Sequence, residues 1–426
     1  MIIYTIRQGD NIYSISRRYN VPMQRILSDN QIDNPEQLVV GQSIVINADN
    51  IKHTVAPGES LYTIAFRYDT TLPRILEANP GITDPERIQP GQIIIIPVTP
   101  NKLGTIDVNG YTLPDISTEV LNSTLPHLTY ISIFSYEVKS DGSLTPVDDT
   151  AIIRTARARS VAPMMAITNI VPGSGFNSEL AHTVLTNQQV QNTMIQNIIR
   201  ILQEKNYYGV GIDFEYIFPQ DRDDYNNFLK KITDTLHPMG YKVSTAVAPK
   251  IGSDQRGLLY EAHDYAAHGR LVDHVIIMTY EWGYLRGPAQ AVAPLDKVEQ
   301  VIQYAVTQIP SKKILMGMPN YGYDWTLPFV QGSTARPLTN QEAIELAAKV
   351  GARIWFDMKS QAPYFRYYDS EGREHVVWFD DARSIQARLK LVNKYNLGGV
   401  SYWTINSFFP QNWIVLESMY NVRKVI

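Results

Sequence analysis

A repeated motif within the first hundred residues constrains the fold of this chain more than any other feature. Residues 4–15 align with residues 53–64, so the two copies lie 49 residues apart. Each copy closes with a related run, at residues 38–46 and, after a one-residue insertion, at residues 88–96. A repeat of this kind predicts two similar small units in tandem, at residues 1–48 and 51–98.

Each unit has the pattern of a strand, two helices and a second strand. A short alternating strand ends at a Gly turn, and the polar pairs Asp10-Asn11 and Glu59-Ser60 follow where a helix should begin. Apolar residues then recur at helical spacing, and a Pro- or Gly-marked turn leads to the closing strand. Because a unit this small has a limited core, it is more plausible as a docking module than as an enzyme.

Two runs in each copy carry a family resemblance. The first is Thr-Ile/Val-x-x-Gly-Asp/Glu-Asn/Ser-Ile/Leu, and the second is the closing Gly-Gln-x-Ile-x-Ile. Both units resemble the LysM module, which implies βααβ folds that bind N-acetylglucosamine polymers such as peptidoglycan and chitin. The alternative is a pair of small domains with some other partner.

The rest of the chain has a different pattern, in which apolar runs of strand length alternate with helical stretches. A short linker at 98–101 precedes it. The predicted strands are residues 103–108, 130–134, 164–168, 209–215, 242–248, 274–280, 313–319 and 398–403, with helices at 187–204, 224–236 and 297–308. Eight near-continuous apolar strands predict an α/β fold, a closed (β/α)8 TIM-type barrel over residues 102–426. The alternative is an open doubly wound sheet, but the sequence has no Gly-rich phosphate turn after the first strand.

One interval breaks the alternation. Residues 320–397 separate the seventh predicted strand from the eighth, and within them aromatic and β-branched residues flank a polar turn at 365–378. This pattern predicts a β-hairpin. We therefore expect an α+β insertion at about residues 326–378, after strand seven, that raises one wall of a cleft.

Composition excludes several classes of function. The chain has 38 Lys plus Arg against 42 Asp plus Glu, a net charge of -4, which argues against a nucleic-acid partner. It has no cysteine, so disulfides, zinc–thiolate sites and thiol catalysis are excluded. No apolar run reaches the roughly 18 residues of a membrane helix, so no membrane partner is expected. The N-terminus lacks a signal-peptide pattern, so we expect that the protein stays in the cell that makes it, that a processed end is missing, or that the protein leaves by another route.

The fourth predicted strand carries the chemistry. Side chains alternate along a strand, so Asp213 and Glu215 face the same way, together with Gly211. Two carboxylates on the inner face of a buried strand, at its C-terminal end, cost free energy of folding. Their burial and crowding raise at least one pKa toward the value that a general acid needs. The alternative is a helix-capping Asp beside a structural ion pair.

Three strand ends together resemble glycoside hydrolase family 18. The family's strand-four motif Asp-Gly-x-Asp-x-Asp-x-Glu is matched here at its last Asp and its Glu, whereas Tyr208 and Gly211 replace the first two Asp. Its strand-six Met-x-Tyr-Asp appears as Met278-Thr279-Tyr280-Glu281, and its strand-eight Trp as Trp403. The resemblance runs from about residue 102 to the C-terminus and implies a barrel with an α+β insertion.

The resemblance also implies a mechanism, in which the substrate's own acetamide is the nucleophile. Glu215 would be the acid and then the base, Asp213 would orient the acetamide, and Tyr280 would donate to the acetamide oxygen. Trp403 would form the floor of the sugar site. Further substrate-binding candidates near predicted strand ends are Met278, Glu281, Tyr136, Asn169, Asn320 and Tyr321. No metal and no cofactor are implied, and Gly211 leaves Asp213 without the carboxylate that shares its proton in the family.

The combination of both modules with this strand set is similar to the cortical-fragment-lytic type of N-acetylglucosaminidase. That resemblance implies a hydrolase that trims spore-cortex peptidoglycan during germination, located at the spore coat, the cortex or the cell wall. Two alternatives remain open. One is a chitinase or another endo-N-acetylglucosaminidase, and the other is a non-catalytic glycan-binding protein.

Overall fold

The structure, a computed structural model, describes residues 1–48, 50–68, 70–97 and 102–426. The predicted linker at 98–101 lies outside the described residues. Within the described part of the chain, no helix is both long and apolar enough to cross a membrane.

Eight parallel strands close into a barrel, because the eighth strand pairs with the seventh on one side and with the first on the other. The register places Gly399 opposite Asp107 at the closure. The barrel strands are Thr105–Thr112, Tyr130–Glu137, Ala162–Thr168, Gly209–Asp213, Lys242–Val247, His274–Ile277, Ile314–Pro319 and Gly399–Trp403. The predicted fold class is therefore confirmed.

Helices cover the outside of the barrel and form the main core with the outward-facing strand residues. They are Thr118–Thr124, Thr150–Arg157, Ser178–Thr186, Gln188–Lys205, Arg222–Leu236, Tyr265–Leu271, Leu295–Gln308, Ala382–Lys394 and Pro410–Met419. The longest shows why they form where they do. Asn187 caps its first turn by accepting from two backbone amides, Met194, Ile198 and Leu202 fall on its buried face, and Asn206 ends it in the left-handed region.

Two strands end at least two residues earlier than the sequence predicted. The fourth stops at Asp213 instead of Glu215, and the sixth stops at Ile277 instead of Tyr280. In each case the chain soon turns through a residue with positive φ, Tyr216 at 54° and Glu281 at 66°. Such a backbone cannot continue a ladder, so the residues past these ends are free to face the mouth of the barrel.

The insertion after strand seven is an antiparallel sheet of five strands with one helix, Asn340–Lys349. Its strands are Gly322–Thr326, Arg336–Leu338, Trp355–Asp357, Ala362–Tyr368 and Glu374–Trp378. The last two form the predicted hairpin. The sheet begins four residues before the expected boundary, because the chain enters it almost directly from the seventh strand.

Each N-terminal module pairs two antiparallel strands over two helices. The first module has Ile2–Thr5, Ile12–Tyr19, Met23–Asp29 and Ser43–Ile46, and the second has Asn50–Thr54, Leu61–Arg67, Leu72–Ala78 and Ile93–Pro97. Asn11 and Ser60 form capping boxes at equivalent helix starts. The repeated Asn30 and Asn79 each tie the second helix to the closing strand through three side-chain bonds.

The first module packs directly on the barrel domain. Its Val39 and Val45 belong to the main barrel core. The amide of Ile354 donates to the carbonyl of Val40 at 3.0 Å, and the Gly41 backbone lies so close to Ile354 that a side-chain Cβ would meet its oxygen at 1.8 Å. The second module packs on the first, and its Ile93, which corresponds to buried Ser43, is 62% exposed.

Candidate active site

A cavity of about 1010 Å³ opens at the C-terminal ends of the barrel strands, where enzymes of this architecture place their active sites. The barrel lines it with Tyr111, Phe134, Asp213, Glu215, Ala246, Met278, Tyr280 and Trp403, and the insertion adds Tyr323, Leu338, Thr339 and Glu342. The insertion therefore forms one wall of the cavity.

Asp213 and Glu215 both line this cavity. Asp213 is 5% exposed, and its buried Oδ1 has no hydrogen-bond partner among the described residues. Burial raises the pKa of Asp213 from 3.8 to about 7. Burial, together with the nearby charges of Asp213 and Glu281, raises the pKa of Glu215 well above its ordinary value. Near neutral pH the pair therefore holds protons that ordinary carboxyls would have lost.

The residue between them faces the opposite way, as strand alternation predicts. Phe214 is fully buried in the helix layer and stacks on Tyr225 and Phe228, with ring centroids 6.1 and 6.2 Å away. This packing anchors the segment from outside. It also fixes the direction of the two carboxyls on either side of it.

Tyr280 follows the sixth strand and reaches the cavity across the seventh. A Cβ at Gly317 would lie 2.8 Å from Cε1 of Tyr280 and 2.6 Å from the carbonyl oxygen of Ile277. Only glycine leaves room for the ring there. Burial raises the pKa of Tyr280 well above its ordinary value, so its hydroxyl stays protonated and can donate a hydrogen bond.

Trp403 ends the eighth strand and closes the base of the cavity. Its ring meets Phe134 and Tyr111 edge-on, with centroids 4.8 and 5.6 Å away. Asn320 holds the following turn, because its amide donates to the carbonyls of Thr404 and Ser407 at 3.0 and 2.9 Å. The result is a rigid apolar floor of the kind that packs against a sugar ring.

Glu281 lies on the wall between the barrel and the insertion. Its carboxylate accepts hydrogen bonds from the hydroxyls of Tyr321 and Tyr323, the latter at 3.0 Å. Burial raises the pKa of Glu281 above its ordinary value. The two tyrosines thus fix the orientation of a carboxyl that the sequence placed near the site.

Two candidates from the sequence lie elsewhere. Tyr136 is 1% exposed in the helix layer, where its hydroxyl donates to Asp149 and accepts from Lys205. A register shift after Ile133 turns it outward, so its expected role in substrate binding is wrong. Asn169 does not line the cavity, because its side chain is bound to the backbone of Glu215. The other candidates, Met278, Glu281, Asn320, Tyr321 and Trp403, all line it.

Several lining residues were missed by the sequence reasoning. Tyr111 was missed because the first strand continues past residue 108 to Thr112. Other missed residues that line the cavity include Phe134, Phe176, Tyr216, Tyr260, Trp282, Tyr284 and Glu342. The Tyr-rich composition was the available signal, but loops bring most of these side chains in. Among the described lining residues four are acidic and none is Lys, Arg or His.

Comparison with known proteins agrees with this geometry. Residues 110–407 match the family described as Glycosyl hydrolases family 18, and residues 4–47 and 53–97 match the LysM domain. The chain belongs to glycosyl hydrolase family 18. The suspected family and both modules are thereby confirmed.

Relatives span the whole chain. The cortical fragment-lytic enzyme of Bacillus subtilis (strain 168) is 43% identical over 431 residues, covering 100% of this chain and 99% of the relative. That of Bacillus anthracis is 40% identical, covering 99% of each. The crystal structure of the spore cortex-lytic enzyme SleL of Bacillus megaterium QM B1551 superposes with a TM-score of 0.90 at 38% identity, covering 100% of this chain and 99% of that one.

The chain departs from the family 18 motif at Gly211. A Cβ there would lie 3.0 Å from the hydroxyl oxygen of Ser244 on the neighbouring strand. The space next to Asp213 is therefore narrowed by a serine, and no carboxylate is placed there to share its proton. The raised pKa of Asp213 is due to its burial.

Proposed function

We propose that this protein is an N-acetylglucosaminidase of spore-cortex peptidoglycan that cleaves β-1,4 bonds after N-acetylglucosamine with retention. The observation that carries the proposal is the convergence of Asp213, Glu215 and Tyr280 on one cavity above the floor formed by Trp403. The names of the relatives, which act as cortical fragment-lytic enzymes, support the choice of polymer.

The first step breaks the glycosidic bond. The acetamide oxygen of the sugar attacks its own anomeric carbon, while the protonated Glu215 transfers its proton to the departing oxygen. The products are an oxazolinium ion and the free hydroxyl of the next sugar. The raised pKa of Glu215 supports this role, because it keeps the proton available near neutral pH.

In the second step, Glu215 as carboxylate takes a proton from water, the water oxygen bonds to the anomeric carbon, and the oxazolinium ring opens. Asp213 would accept from the acetamide N–H and balance its positive charge, since its buried Oδ1 is unpartnered among the described residues. Tyr280 would donate a hydrogen bond from its hydroxyl to the acetamide oxygen. Each of the two displacements inverts the configuration of the anomeric carbon, so the configuration is retained overall.

We propose that the LysM modules bind the same polymer and hold the enzyme at the cortex or the cell wall. The cavity itself favours uncharged sugars, because its described lining has no Lys, Arg or His that could pair with a carboxylate of the substrate. A free muramic carboxylate would lose water there without gaining a cationic partner, whereas a muramic lactam or N-acetylglucosamine carries no such charge.

The test is mass spectrometry of products from cortex fragments, with a chitin oligomer as the comparison substrate. Glu215→Gln should abolish release from cortex fragments while leaving pull-down by intact wall unchanged. Glu179→Gln, on the exposed face of a helix outside the cavity, is the matched control and should behave as wild type. Early NMR spectra should show the β-anomer. Initial α-product, or equal cleavage by Glu215→Gln, would contradict the mechanism.

A further inference from the structure

The segment that carries Glu215 has left the sheet. The last pairing of strand four is Asp213 with Thr168 on one side and Ile212 with Thr245 on the other. Phe214 and Glu215 therefore have backbone amides and carbonyls that no strand satisfies. Such groups need other hydrogen-bond partners when they are buried. Those partners fix the backbone position from which the Glu215 side chain extends.

Asn169 supplies partners from the side of strand three. It follows the end of that strand at Thr168 directly and is fully buried. Its Oδ1 accepts from the amide of Glu215 at 3.0 Å, and its Nδ2 donates to the carbonyl of the same residue at 2.9 Å. One side chain thus replaces both hydrogen bonds that a neighbouring strand would have made.

His263 supplies the partner from the side of strand five. Its Nδ1 accepts from the amide of Ala248 at 2.9 Å, and its Nε2 lies 3.0 Å from the carbonyl oxygen of Phe214. An amide can only donate and a carbonyl can only accept, so the ring must be neutral with its proton on Nε2. Burial lowers the pKa of His263 to about 4, which keeps this form at neutral pH.

We propose that Asn169 and His263 are positioning residues that clamp the Phe214–Glu215 backbone from both sides and so place the Glu215 carboxyl. The proposal rests on the assignment of Glu215 as the acid in the proposed function. Neither residue lines the cavity, so neither touches substrate. Each acts on the reaction through the position of Glu215, and a displacement of about 1 Å there is expected to cost up to 10²-fold in rate.

The test compares two buried histidines. His263→Phe removes both hydrogen bonds at nearly constant shape, and we expect kcat on soluble cortex fragments to fall about 10- to 100-fold with little change in KM. His268→Phe is the matched control. His268 is fully buried, and its ring centroid lies 6.2 Å from that of His263. Neither of its ring nitrogens has a hydrogen-bond partner among the described residues. It should keep the wild-type kcat.

Rescue separates positioning from mere support of the fold. His263→Gln keeps one hydrogen-bond acceptor and one donor on a neutral side chain, so it should recover much of the wild-type kcat. Asn169→Leu removes both hydrogen bonds to Glu215, so its kcat should fall as in His263→Phe. If His263→Phe does not fold, His263→Gln is compared with Asn169→Asp, which keeps the acceptor and loses the donor. The proposal then predicts the lower kcat for Asn169→Asp.

Hydrogen exchange gives a readout that needs no turnover. The peptide covering residues 209–217 should exchange faster in His263→Phe and Asn169→Leu and at the wild-type rate in His268→Phe. A wild type that releases no product would overturn the proposed function but not the clamp. Unchanged kcat and exchange in His263→Phe, or equal losses in His268→Phe, would overturn the clamp.

Discussion

Replacing Asp213 with Asn should make the protein more stable at alkaline pH while it destroys activity. The carboxyl has a pKa near 3.8 in the unfolded chain and about 7 in the folded one. Between these values the folded state binds more protons at Asp213, so the contribution of this carboxyl to stability is fully present below pH 3.8 and is lost as the pH rises through 7. Asparagine is neutral throughout, so the variant does not share this loss.

The expected size follows from the two pKa values. Moving from 3.8 to about 7 corresponds to about 4 kcal/mol, at about 1.36 kcal/mol per pKa unit. For a barrel domain spanning residues 102–426, this equals a rise in Tm of roughly 6 °C, taking about 2.1 cal/mol/K of unfolding entropy per residue. Scanning calorimetry at pH 9 should show the difference, and it should shrink steadily as the pH is lowered toward 4.

Asp234→Asn is the control for this experiment. Its carboxylate is 61% exposed and paired with Lys230 on a surface helix, so its loss should change stability by less than about 1 kcal/mol. If Asp213→Asn is no more stable than wild type at pH 9, burial does not oppose the Asp213 charge. The explanation of its pKa would then be wrong.

Three further substitutions test separate contacts. Tyr280→Phe should lower kcat/KM by about 10- to 100-fold on cortex fragments without changing Tm, because it removes only the proposed hydroxyl donor. Gly317→Ala should lower activity and Tm together, since its Cβ would lie 2.8 Å from the Tyr280 ring. Gly41→Ala should lower Tm and speed hydrogen exchange around Ile354, because its Cβ would meet the Ile354 oxygen at 1.8 Å.

Each has a matched control in the chain. Tyr368→Phe changes a tyrosine that is 70% exposed on the insertion and should leave kcat/KM unaltered. Gly81→Ala adds a Cβ into open space. Gly91→Ala has the same positive φ as Gly41 but no atom within 4 Å, so it isolates the backbone cost from the clash. If Gly91→Ala destabilises the protein as much as Gly41→Ala, the contact between Gly41 and Ile354 does not contribute to the loss of stability.

The barrel and the repeated modules could be predicted from sequence because their signals are local. Apolar runs of strand length gave eight strands, and alternation placed Asp213 and Glu215 on one face even though the strand ends between them. The same rule failed at Tyr136. One extra residue in the second strand after Ile133 reverses the face of everything beyond it, and nothing in the local sequence marks that bulge.

Partners that are distant in the chain could not be predicted. His263 lies 49 positions beyond Phe214, whose carbonyl it binds. The residues next to His263 in the sequence do not distinguish it from any other buried histidine. The packing of the first module on the barrel depends on Val45. The sequence predicts a strand at this position in both modules and does not show that only the first module uses it to contact the barrel. Such contacts are set by the assembled fold.

The seating of the first module on the barrel has a consequence for how cleavage proceeds along a polymer. Because Val39 and Val45 belong to the barrel core, that module and the cavity are a fixed distance apart. The local concentration of cleavable bonds is then set by the geometry of that contact. Under the proposed function, successive cuts on one glycan strand require the module to release the polymer in between, so tighter binding of the module to the wall should slow hydrolysis.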